Sequence, residues 1–149
     1  MVDKYLADFQ IIGSSIKTLK IKNDFISLGS GKNFKRKLDI SHSITSIGSI
    51  ENDTMLSGTI VLNIKVNISA NKNKYNLDMS IEGCFKGPQQ IGEEQFKKML
   101  QVNGLTSLYS IARGFIQSTT AQTLSIGSVL LPMINVVAYS KDLDNKKSD

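Results

Sequence analysis

Few side chains in this sequence carry the chemistry of catalysis or metal binding, and their spacing assembles no working site. His42 is the only histidine and Cys84 the only cysteine. A metal centre needs three or four ligands held together, and neither residue has a second ligand at a workable spacing. H-x-x-x-H, C-x-x-C and G-x-S-x-G patterns are all missing. The close carboxylates are Glu93-Glu94 and the pair Asp142 and Asp144. The first pair opens a helix-like run, where the helix dipole favours negative charge; the second lies in a charged tail. Gly29-Ser30-Gly31-Lys32-Asn33 lacks the G-x-x-x-x-G-K-[ST] spacing of a phosphate loop. Acid–base, thiol, metal or cofactor chemistry is therefore not expected, and the chain reads as a binder and not as an enzyme.

Charge narrows what it binds. The net charge is +5, with one dense cluster at Lys32, Lys35, Arg36 and Lys37. Two arginines and no tryptophan leave little equipment for base readout or stacking. Solvated lysines explain the cluster better than a specific nucleic-acid site does.

With 149 residues and 40% hydrophobic content, one domain is expected, burying roughly 70% of its unfolded surface. The domain is placed at residues 1–141, with residues 142–149 as a disordered charged tail. A lone cysteine makes no internal disulfide, and the start has no signal-peptide h-region. The longest apolar run, Val129 to Tyr139, holds Pro132 and Asn135 and falls short of the ~20 residues that span a bilayer. A soluble cytoplasmic protein with no membrane insertion is the expectation.

The elements follow from periodicity. Val2, Tyr5, Leu6, Phe9 and Ile12 recur at helical spacing, which predicts an extra N-terminal helix over 1–13. Residues 16–28 read as a strand with a change of phase near Phe25 and Ile26. A second strand spans 34–50, with His42 on its apolar even face. Ile60, Leu62, Ile64, Val66 and Ile68 alternate with polar neighbours, as do Tyr75, Leu77, Met79, Ile81 and Phe85 beyond a turn at Asn71–Lys74. A short helix over 93–102 ends at Asn103-Gly104, and the principal helix runs over 106–122 with Leu105, Leu108, Ala112, Phe115 and Thr119 as its stripe. The fold class is α+β, a four-stranded antiparallel sheet, meander or Greek-key-like, with helices on one face. The principal helix and the apolar segment after it carry more apolar surface than one sheet needs.

Several stretches resemble the SecB family of export chaperones: Glu82-Gly83-Cys84-Phe85 at a strand end, Asn103 with Leu108-Tyr109-Ser110-Ile111-Ala112-Arg113 in the helix, and Leu131-Pro132-Met133-Ile134-Asn135 after it. The resemblance covers residues 16–140 and departs from the family at Ser110 and Gly114, where proline and glutamate are usual. It implies a chaperone that binds unfolded or nascent polypeptide in apolar grooves without ATP, keeping it translocation-competent, and that assembles as a dimer of dimers. Candidate groove residues are Phe25, Ile26, Phe85, Tyr109, Ile111 and Phe115; candidate oligomer contacts are Leu108, Ala112, Ile116 and Thr119. The family hands clients to the SecA motor through acidic sheet surface. The basic charge here argues against SecA as a partner and favours, as the alternative, a chaperone dedicated to one partner such as an antitoxin. A further class, an enzyme or carrier for a small apolar ligand, needs a carboxylate or histidine at the helix start, where Leu105-Thr106-Ser107 offers neither.

Overall fold

A computed structural model describes residues 7–24, 34–50, 52, 54–125 and 127–147. Four strands, β1 (Gln10–Asn23), β2 (Lys35–Ile50), β3 (Met55–Ala70) and β4 (Asn73–Pro88), form one antiparallel sheet in the order β1-β4-β3-β2. Three strands run as a meander and β1 lies beside the last of them, which is the Greek-key arrangement. Three helices follow: α1 (Glu93–Met99), α2 (Leu105–Thr123) and α3 (Val136–Lys146).

The alternation in β3 and β4 does what it predicts. Leu56, Ile60, Leu62, Ile64, Val66 and Ile68 are buried, as are Tyr75, Leu77, Met79, Ile81 and Phe85 on the neighbouring strand. A two-residue turn at Asn71-Lys72 joins them, with Asn71 at φ 56°, a left-handed conformation that asparagine tolerates. Because one face is buried, a one-residue slip would turn the whole core outward, so the register is fixed. Phe96, Leu100, Leu105 and Leu108 press onto this face. A Cβ on Gly58 would collide with Leu100 and Phe96, and one on Gly83 would lie 2.6 Å from Leu108. The two glycines let the helices sit close to the sheet.

Three expectations are corrected. Residues 10–13 belong to β1, so a helix over 1–13 does not form there; residues 1–6 lie outside the described part. The helix-like spacing has a cause in the strand. Bulges at Ile12 and Lys17 let Ile11, Ile16, Leu19 and Ile21 face Phe85, Ile81, Met79 and Leu77 despite their irregular intervals. Asn103-Gly104 is not a stop: a π-helical turn, Leu100–Gly104, carries α1 into α2, and Gly104 stays right-handed. Its missing side chain makes room for the Phe85 ring, 3.4 Å from where a Cβ would be. Residues 142–146 are helix and not a disordered tail. Asn135 caps α3 by accepting the Ala138 N–H at 3.0 Å, and Val136, Tyr139, Ser140 and Leu143 form its less exposed stripe.

Candidate polypeptide-binding surfaces

The helix α2 lies over β3 and β4 and fastens the chain that follows it. The Tyr109 hydroxyl donates to the Pro132 carbonyl at 2.5 Å, and Arg113 Nε donates to the Leu131 carbonyl at 2.9 Å. Thr120 is fully buried; its hydroxyl donates to the Ile116 carbonyl and accepts the Val129 N–H, each at 2.7 Å. Burial raises the Tyr109 pKa, partly opposed by the Arg113 charge, so the phenol stays a donor at neutral pH. These bonds hold Val129–Pro132 along one flank of α2, on the β2 side of the sheet.

Between that segment and the start of β2 lies a groove of about 390 Å³. Leu38, Val66, Ile68, Val129 and Leu131 line it, Leu130 and Pro132 stand on the rim, and Arg36 and Lys37 close one end. Leu130 is 59% exposed and nearby Met133 85%. Beyond the groove, α3 covers the middle of β2. The His42 Nδ1 lies 3.3 Å from the Tyr139 hydroxyl, which also reaches the Ile40 carbonyl at 3.4 Å. Burial, and then the Lys147 charge, lower the His42 pKa, so the ring is neutral near pH 7. It is a satisfied rim histidine.

The opposite flank of α2 is bare. Helical geometry puts Ile111, Phe115 and Thr119 on the side away from Tyr109 and Arg113, hence towards β1. There the inward row of β1 is uncovered, with Ile11, Ile16 and Leu19 all exposed. On this face the strand's ends are tied: the Phe9 ring stacks on Phe85 at 5.3 Å, and Asn23 donates to the Thr123 carbonyl at 2.7 Å.

The expected site residues therefore separate. Ile111 and Phe115 share the bare strip with half-buried Thr119. Phe85 is core, beneath Phe9 and Gly104, and Tyr109 is a buried latch. Leu108, Ala112 and Ile116 are fully buried in the chain itself and present no surface to a sister subunit. Phe25 and Ile26 lie outside the described residues. Sequence reasoning missed the groove at β2. Its signal was the Leu131-Pro132 motif together with Leu130 beside it, all three of which line the groove.

No family model and no curated protein matches this sequence. Among solved structures, a SecB-like chaperone of Mycobacterium tuberculosis, bound to a ChAD peptide from the HigA1 antitoxin, superposes with a TM-score of 0.66. The match covers 86% of this chain and 91% of that one at 12% identity.

The chain has a SecB-like fold.

A Streptococcus agalactiae protein of unknown function also matches, with a TM-score of 0.45 at 11% identity, over 85% of this chain and all of that one. In this SecB-like fold two of the stretches that carry the resemblance meet, Tyr109 and Arg113 on Pro132 and Leu131. Among the described residues, no group of three or more metal-ligating side chains occurs, and no helix is long and apolar enough to cross a membrane.

Proposed function

We propose that this chain is a SecB-like chaperone that binds unfolded or nascent polypeptides in the cytoplasm without ATP, keeping them translocation-competent or free of aggregation. The observation that carries the reading is the open apolar groove at β2 on a SecB-like fold. Soluble monomers rarely leave large contiguous apolar patches uncovered without a use for them. An extended client lays apolar side chains against Leu38, Val66, Ile68 and Leu131, with Leu130 and Met133 folding over it; methionine adapts to varied shapes. The bare strip at β1 serves a different purpose in this reading. It joins two copies through an isologous contact, and two such dimers pair into the tetramer the SecB resemblance implies.

The test is suppression of aggregation of several unrelated, chemically unfolded proteins at stoichiometric ratios without nucleotide. Leu130→Asp, on an exposed side chain, is expected to abolish suppression while leaving the melting temperature within a few degrees. Protection of none of the proteins would sink the chaperone reading. Protection of a single partner would favour a dedicated chaperone, the arrangement suggested by the antitoxin peptide on the mycobacterial neighbour.

A further inference from the structure

We propose that the open face of the sheet, at its Asn71-Lys72 hairpin end, docks an acidic polypeptide segment from a partner. This surface lies on the side of the sheet that no helix among the described residues covers, and it meets the apolar groove at Lys37.

Strand pairing brings the charges together. One row across the four strands reads Lys20, Asp78, Lys65, Asp39, and the next reads Lys22, Asn76, Asn67, Lys37. In the first row the signs alternate, and Lys65 reaches Asp78 at 3.8 Å. In the second, two lysines flank two side-chain amides, and Lys37 leans back to Asp39 at 3.5 Å. A row further, Lys74 and Lys35 stand on either side of Ser69, and Asp24, whose carboxylate accepts the Lys74 N–H at 3.2 Å, leaves that row one net positive charge. Lys20, Lys22 and Lys65, with Asp78, Asn67 and Asn76, line a depression of about 400 Å³, where three positive charges stand against one negative. Sequence alone scatters these lysines over four strands; the register assembles them into one surface with a surplus of positive charge.

Charge complementarity calls for an anionic occupant, and the details favour protein over nucleic acid. These rows hold no aromatic ring to stack a base and no arginine to grip a phosphate bidentately. Asp39 and Asp78 would repel an unbroken line of phosphates, whereas carboxylates spaced along a peptide can pass over them. Lys22 and Lys37 stand at opposite ends of their row, three interstrand spacings of about 4.8 Å, or about 14 Å, apart. An extended peptide rises about 3.4 Å per residue, so glutamates four residues apart match the two lysines, with the asparagine amides donating between them.

The test uses the full chain and fluorescence anisotropy at low and physiological salt. Three labelled probes of equal length are compared: a serine-rich peptide with glutamates four residues apart, its glutamine counterpart, and a thymidine oligonucleotide. The glutamate peptide is expected to bind at least about tenfold tighter than either other probe, more so at low salt. K22Q is expected to weaken it several-fold and K22E more than K22Q, with circular dichroism and aggregation suppression unchanged, and K22Q/K37Q is expected to weaken it about tenfold. Equal binding of the glutamate and glutamine peptides, an unaltered affinity in K22Q/K37Q, or tighter binding of the oligonucleotide would each overturn the proposal. The Lys22 variants do not touch the apolar groove, whose own readout is aggregation suppression.

Discussion

At the β2 side of the sheet the chain folds back over its own apolar surface. Val129–Pro132 is fastened to α2 by Tyr109, Arg113 and Thr120, and α3 lays Tyr139 against His42. At the β1 side nothing comparable happens among the described residues. Ile11, Ile16 and Leu19 face inward over the sheet, yet each stays more than a third exposed, and Ile111 beside them is 41% exposed. One half of the apolar layer is completed within the chain; the other is left unfinished. The same hydrophobic pattern thus serves two ends. Where polar side chains on α2 can satisfy the backbone of a returning segment, the chain covers itself. Where they cannot, the surface stays open to another molecule.

The largest expected effect tests the completed half. Leu131 is almost wholly buried, and Leu131→Ala should cost about 2–5 kcal/mol by transfer and cavity terms, measured by chemical denaturation. Leu19→Ala on the unfinished half should cost under about 1 kcal/mol in a monomer. A loss as large as that of Leu131→Ala would mean that β1 is covered in solution. Leu19→Glu takes the same question to assembly: native mass spectrometry should show a shift towards smaller species with the fold retained, and a monomeric parent protein would defeat the idea of a sister subunit on β1.

A smaller effect comes from the latch. Tyr109→Phe removes one hydroxyl and leaves the Pro132 carbonyl without its donor, for a loss of about 1–2 kcal/mol. The groove wall should loosen with it, read as faster hydrogen exchange at residues 129–132. Unchanged exchange there would show that packing alone holds the segment.

The outer face of α2 supplies a control for both halves. Gly114 is exposed and a Cβ there meets nothing within 4 Å. Gly114→Ala should therefore stabilise the chain by about 0.5–1 kcal/mol through helix propensity and chain entropy. A destabilised or dissociated variant would reveal a subunit packed on that face.

The smallest effect is pH-dependent and confined to the β2 side. The folded His42 pKa lies below its ordinary 6.5, chiefly through burial and then through Lys147. The unfolded state then binds more protons within the window just below that value, so stability is full above about pH 6.5 and falls as pH drops. Asp144 and Lys147 line the same small pocket, so charges of both signs face the ring from the end of the chain's last helix. Thermal melts from pH 7.5 to 5.5 should show this decline in the parent protein and a flatter profile in His42→Gln.

Much of the architecture was legible in sequence, for reasons that can be named. Strict alternation over Ile60–Ile68 and Tyr75–Ile81 has no reading other than half-buried strands, and Asn71-Lys72 marks their turn. The helix α2 follows from its stripe, although the buried line runs through Leu108, Ala112, Ile116 and Thr120 and leaves Phe115 and Thr119 on the flank. What misled was spacing distorted by bulges, which made the start of β1 look helical, and a glycine at 104 that packing requires and no helix end does. The candidate site was legible only in part. Ile111 is exposed and Phe115 half-buried against the core, whereas Phe85 and Tyr109 are buried aromatic residues, and residue type alone does not separate these cases.

Sequence by itself determined the apolar and polar faces, the absence of a catalytic constellation in its motifs, and the two motifs around Tyr109 and Leu131, because periodicity and residue chemistry are local properties. Only the tertiary structure decided that those motifs clasp each other, that β1 pairs with β4 and stays bare, and that lysines from four strands share one face. Strand order and register are non-local, set by how much apolar surface the whole chain can cover at once.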